Sequence, residues 1–113
     1  MGKPSRDKGA RGERELAAAL TAEGFDAHRG RQYHGGPDSP DVICKSLSAL
    51  HFEAKRTERL SVYPALQQAA EDAGEAIPVV AHRRNNHEWV AILRLSDLLS
   101  ILRESELVST SAR

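Results

Sequence analysis

Residues 40 to 56, PDVICKSLSALHFEAKR, constrain the fold more than any other stretch. Two short apolar runs, DVICK and ALHFEAKR, flank a polar turn at Ser46 to Ser48, which is the pattern of two consecutive strands. Alternation within ALHFEAK sends Leu50, Phe52 and Ala54 to one side, the core side, and His51, Glu53 and Lys55 to the other. A hairpin turning at those serines pairs Cys44 with Leu50 and Val42 with Phe52. Asp41 then stands directly across from Glu53 on the face away from the core, with Cβ atoms roughly 4.5 to 5.5 Å apart. Carboxylates that close repel, and the charge that offsets them is either Lys55 or a bound divalent ion. A hard ion such as Mg²⁺ takes oxygen ligands at roughly 2.0 to 2.1 Å and keeps several waters, a shell that Asp41, Glu53 and the Ala54 carbonyl can supply.

The flanking segments read as an ordered series of elements. MGKPSRDKG, residues 1 to 9, reads as a flexible basic arm. From about Ala10, the residues Glu13, Leu16, Ala17 and Leu20 recur on one helical face, and Gly24 is a natural stop. Glu13 is therefore an acid on an apolar stripe, whereas Glu15 projects about 160° away toward solvent. Two explanations stand for Glu13: it sits over the hairpin face with Asp41 and Glu53, or it bridges to Arg14 or Arg11. FDAHRGR reads as a first strand and residues 30 to 40 as a loop dense in Gly, Pro, Ser and Asp. After the hairpin, Pro64 opens a helix through ALQQAAEDA that Gly74 closes. IPVVAHR is a buried strand, Asn85 and Asn86 a turn, EWVAIL another strand, and Ser96 the cap of a last helix. One domain spans residues 10 to 106, and residues 107 to 113 form a frayed tail.

Composition limits the function classes. A chain of 113 residues, 40% apolar and 28% charged, is a single globular domain with no apolar run long enough to span a bilayer. A lone cysteine, Cys44, excludes an internal disulfide and a thiolate zinc site, which fits a cytoplasmic protein. Formal net charge is zero, so bulk charge does not drive binding to a polyanion. Its distribution is uneven, with cations gathered at Lys3, Arg6, Lys8, Arg11 and Arg14, then at Arg29 and Arg31, Arg56 and Arg59, and Arg83 and Arg84. Such a basic side suits a nucleic-acid surface or is simply a solvated face. Only 4% of residues are aromatic, too few for a base-stacking platform, and Tyr63 and Trp89 read as packing groups.

KGARGERE, the GF at 24 and 25, PDVI, EAK and YPALQQA resemble, in that order, elements of the archaeal-type Holliday junction resolvases and their phage relatives, within the PD-(D/E)xK nuclease superfamily. The resemblance runs over about residues 8 to 82 and implies a restriction-endonuclease-like αβββαβ core, a mixed sheet flanked by helices. It implies Mg²⁺, with Mn²⁺ able to substitute, held by Asp41 and Glu53, and a Lys55 that orients or polarises the attacking water. Glu13 matches the glutamate of the family's first helix and Gln68 the glutamine of its second, with Gln67 as the alternative register. Of the two PD pairs, Asp41 opens a strand while Asp38 stays in the loop. Phosphate contacts fall to Lys8, Arg11, Arg14, Arg29, Arg31, Arg56 and Arg59, and the partner is DNA, branched or duplex, met by a homodimer. The expected activity is a structure-selective endonuclease on branched DNA; the alternatives are a nicking or restriction-type enzyme on duplex, or a non-catalytic DNA-binding module. His51 reads as an ordinary surface histidine.

Overall fold

The computed structural model describes residues 2–30 and 40–107, with residues 2–8 as backbone only. The Lys8 side chain, Arg31, Asp38 and the tail from 108 lie outside the described residues. The element order is α1 (Gly2–Ala22), β1 (Ala27–Arg29), β2 (Val42–Cys44), β3 (Leu50–Arg56), α2 (Val62–Ala73), β4 (Ile77–Arg83), β5 (Val90–Ile92) and α3 (Leu95–Arg103). This is the order expected, the αβββαβ core followed by a further strand and a last helix.

The strands form one mixed sheet in the order β1-β2-β3-β4-β5. β1, β2 and β3 pair antiparallel in sequence, β3 and β4 run parallel through the α2 crossover, and β5 returns antiparallel to β4. A parallel neighbour needs such a crossover, and the twelve residues of α2 supply it. Each face of the sheet has its own core. On one face Leu16 and Ala17 of α1 meet Val42, Cys44, Phe52, Val79 and Ala81; on the other Ala65 and Ala69 of α2 cover Val80.

Several boundaries differ from the sequence reading, each for a local reason. α1 begins at Gly2, so the stretch expected as a loose arm forms its first turns; Pro4 falls in the first turn, where its missing N–H had no intrahelical acceptor. Its other end follows expectation. The Gly24 N–H bonds the Thr21 carbonyl and the Phe25 N–H reaches back to Leu20, a Schellman closure that needs the φ of +99° that Gly24 adopts. The serine turn tightens into a 3₁₀ turn at Lys45–Leu47. Ser96 lies inside α3 rather than capping it: Arg94 holds the N-cap, and its guanidinium meets Asp97 at 2.8 Å. Strand pairing claims only Val90–Ile92 of EWVAIL. No described helix is long and apolar enough to cross a membrane.

α1 lies close on β3 because Gly12 has no side chain: a Cβ there would stand 2.6 Å from the Arg56 Cβ. Both atoms are fixed to backbone, so neither can turn aside. Gly12→Ala is expected to lower unfolding free energy by about 1 to 3 kcal/mol by overpacking, although alanine is the better helix former by about 1 kcal/mol. Urea denaturation of the two proteins measures the difference.

Candidate active site

The site begins with strand register. Val42 pairs with Phe52 as the alternation requires, and the Asp41 N–H donates to the Phe52 carbonyl at 2.9 Å. Its side chain then turns back along β3, where Oδ2 accepts the Ala54 N–H at 2.9 Å. In an extended strand the N–H and C=O of one residue point the same way, so the Ala54 carbonyl also faces the Asp41 side. Asp41 is thus fixed at both backbone and side chain.

The face carrying His51, Glu53 and Lys55 is not the open surface the sequence suggested. His51 is 4% exposed and Glu53 6%, because α2 crosses this side of the sheet on Ala65 and Ala69. Their burial is matched by a mutual bond, His51 Nε2 to Glu53 Oε2 at 2.7 Å. The alternation puts His51 on the Glu53 face as expected; what it does not show is that α2 covers that face, so His51 is a buried partner of Glu53 and not a surface residue. Lys55 follows on the same face, half-buried, in register with His82, whose Nε2–H donates to the Thr57 carbonyl at 2.8 Å.

Glu13 reaches this neighbourhood from α1. Its partner is Arg29 of β1, whose Nε donates to Oε1 at 2.8 Å, not Arg14 or Arg11. Glu15 is not a solvent residue: Oε1 accepts from Arg56 Nε at 2.9 Å and from Arg83 Nη1 at 3.3 Å, which ties α1 to β3 and β4. Two arginines expected to face DNA, Arg29 and Arg56, are therefore engaged within the chain. Arg11, Arg14 and Arg59 remain exposed.

In α2, Ala65 and Ala69 face the sheet, and at 100° per residue Gln68 lies about 80° from the centre of that stripe while Gln67 points directly away. The helical geometry favours Gln68 over Gln67 as the residue on the site's flank; its side chain is exposed. Asp72 lies nearer the stripe and its charge is felt at both Asp41 and Glu53. It was missed by sequence reasoning, although its spacing of seven from Ala65 and three from Ala69 could have found it.

Electrostatically the three acids act on one another. Burial is the largest influence on each and holds the carboxyls of Asp41, Glu53 and Glu13 above the usual range. The Asp41 charge pushes Glu53 and Glu13 further in that direction. Opposing this are the Ala54 N–H and Lys55 at Asp41, the His51 bond at Glu53, and Arg29 at Glu13. Each carboxylate has one oxygen occupied, and Asp41 Oδ1, Glu53 Oε1 and Glu13 Oε2 accept no bond from another described residue. Among the described residues no three His, Cys, Asp or Glu side chains converge tightly enough to enclose a metal. The donor chemistry nonetheless fits a hard cation: mutually repelling carboxylates with oxygens to spare beside a backbone carbonyl.

The model of one family, the archaeal Holliday junction resolvases (Hjc), matches residues 4–106. The chain belongs to that family. A solved structure of Hjc from the archaeal hyperthermophile Archaeoglobus fulgidus, described as a Holliday junction resolvase, is similar with a TM-score of 0.57 at 26% identity, over 76% of this chain and 72% of that one. No curated protein matches the chain by sequence. Membership places this resolvase-family chain in the PD-(D/E)xK superfamily and accords with the mixed sheet and flanking helices found here.

Acids held above their ordinary range favour the folded state when protonated, and that contribution is lost as pH rises through the elevated values. Asp41→Asn retains an acceptor for the Ala54 N–H and removes the charge. In metal-free buffer it is expected to be more stable than wild type at neutral pH, by on the order of 1 kcal/mol, with the gap closing in acid. Thermal melts across pH read this, and Mg²⁺ should raise the wild-type melting temperature more than that of the variant.

Proposed function

We propose that the chain is a divalent-metal-dependent endodeoxyribonuclease that cuts branched DNA, foremost the four-way junction. The observation that carries the reading is the fixed Asp41 carboxylate opposite Glu53 of β3, its charge felt by Glu53 and Glu13 and offset by Lys55. Membership of the junction-resolvase family supports the choice of substrate.

Hydrolysis of a phosphodiester needs an in-line water, neutralised charge on the phosphate and a stabilised leaving oxygen. Asp41, Glu53 and the Ala54 carbonyl would hold a Mg²⁺ ion, which supplies charge neutralisation and a more acidic water when bound. The Ala54 N–H keeps Asp41 from rotating out of place, and His51 does the same for Glu53. Lys55 projects beyond Glu53 on the same face, where its ammonium can donate to the attacking water or to a phosphate oxygen. Glu13 and Gln68, from helices on either side, orient the surrounding waters. Arg11, Arg14 and Arg59, all exposed, would meet phosphates along the duplex arms. A homodimer would present two such sites to two strands.

The test is cleavage of a labelled four-way junction beside linear duplexes of the same arms, with Mg²⁺ or EDTA. Wild type should make paired nicks in the junction only with the metal. Outer partners of metal sites alter activity by about 10- to 100-fold, so Asp41→Asn, which removes a ligand, should lower the rate at least about a hundredfold. Equal cutting of linear duplex removes junction selectivity. Junction binding with no cutting in Mg²⁺ or Mn²⁺ leaves a binding module.

A further inference from the structure

The chain segments that leave the parallel strands β3 and β4 face each other across a groove of about 690 Å³. One wall is the link into α2, with Leu60 and Val62; the other is the β4–β5 hairpin and the start of β5, with Val90. Hydrogen bonds hold this shape. The Asn85 N–H of the hairpin donates to Glu58 Oε2 of the link at 2.6 Å, and His82 Nε2–H reaches the Thr57 carbonyl at 2.8 Å. Arg84 Nη2 donates to His87 Nε2 at 3.0 Å, while His87 Nδ1–H donates to the Asn85 carbonyl at 2.8 Å, so the hairpin is also braced within itself. Lys55 and His82 are partners across β3 and β4, about 4.8 Å apart on the α2 face. The groove therefore opens beside Lys55, outside the carboxyl ends of two parallel strands, where open sheets bind ligands.

We propose that this groove receives one unpaired nucleotide of the DNA, displaced from the stack at the branch point beside the bond that is cut. The inference rests on the junction-nuclease reading and names the feature by which a branch is told from a duplex. Arg59 and Arg84 are balanced in the groove by Glu58 and Glu88, so its lining suits an uncharged, flat body and not a row of phosphates. Leu60, Val62 and Val90 give a base an apolar wall. Glu58 is engaged by the Asn85 N–H, which leaves Glu88 as the carboxylate for an exocyclic amino group. Tyr63, which the sequence suggested as a packing group, follows Val62 on α2 and is 84% exposed, a ring on which a neighbouring base can stack. Extruding a base costs least where its stack or pair is already interrupted. A branch point thus offers the groove a nucleotide that continuous duplex withholds.

A four-way junction carrying 2-aminopurine at the branch point, held in EDTA so that nothing is cut, tests the groove apart from catalysis. The fluorescence of 2-aminopurine rises as it leaves the stack. Wild type is expected to raise it on the junction and not on a linear duplex of the same sequence. Val62 is 42% exposed in the first turn of α2, where an added acid is tolerated. Val62→Asp should abolish the rise and lower the ratio of junction to duplex affinity about tenfold, the scale of one lost base contact, whereas Val62→Ile should keep both. A wild type that binds the junction with no rise, or does not bind it, overturns the proposal, as does a Val62→Asp protein that keeps the rise and the ratio. Should Val62→Asp fail to fold, photo-crosslinking of wild type to 5-iodouracil at the branch point decides: adducts at residues 58 to 62 or 82 to 90 support the groove, and adducts only elsewhere overturn it. A wild type that unstacks the base but cuts no junction in Mg²⁺ or Mn²⁺ overturns the nuclease reading alone. Paired nicks made with the base still stacked overturn the groove alone.

Discussion

The pairing of Val42 with Phe52 is the constraint from which the site follows. Side chains alternate along a strand, so a slip of one residue would send Asp41 and Glu53 to opposite faces of the sheet and bury one of them in the α1 core. The fold guards against that slip from several sides. Val42 and Phe52 are both in the core beneath α1, the Asp41 N–H is bonded to the Phe52 carbonyl, and the Asp41 carboxylate closes on the Ala54 N–H. β3 is held on its other edge by a parallel register with β4 running the whole of Leu50 to Arg56. The acids are brought together by the packing of apolar residues on the far side of the same strands.

That arrangement works against the folded state where it matters most. Glu53 is almost fully buried, Asp41 and Glu13 partly so, and the charge of Asp41 bears on both. A structure selected for stability alone would place amides or apolar groups there. The surrounding residues offset the crowding without removing it: His51 for Glu53, Arg29 for Glu13, Lys55 and a backbone N–H for Asp41. What remains is a site whose negative charge a cation would complete. Polar groups kept in this condition are characteristic of function.

Much of this was legible in the sequence because it rests on short-range periodicity. The order of elements, the hairpin register and the facing of Asp41 on Glu53 all follow from the period of two in ALHFEAK and the breakers around it. What was not legible depends on a third layer. Nothing in the alternation says that α2 covers the Glu53 face, so His51 read as a surface residue. Helical angle alone sends Glu15 to solvent, because the arginines that meet it arrive from β3 and β4 at separations of 41 and 68 residues. The start of α1 was obscured by Pro4, which reads as a breaker anywhere except in a first turn, where it stands.

Those ion pairs change how the neutral net charge should be understood. Glu13 and Glu15, two residues apart on α1, each claim cations from the sheet, Arg29 on one side and Arg56 with Arg83 on the other. These arginines are half-buried, and their ion pairs tie α1 to β1, β3 and β4. Counted as DNA contacts they would overstate the electrostatic footprint; counted as structure, they cancel acids that would otherwise repel a phosphate backbone. Cations already paired to carboxylates neutralise fewer phosphates, and each phosphate neutralised contributes about 0.9 to the slope of log affinity against log salt. Selectivity for a branched over a linear DNA then rests on shape, since both present the same phosphate charge.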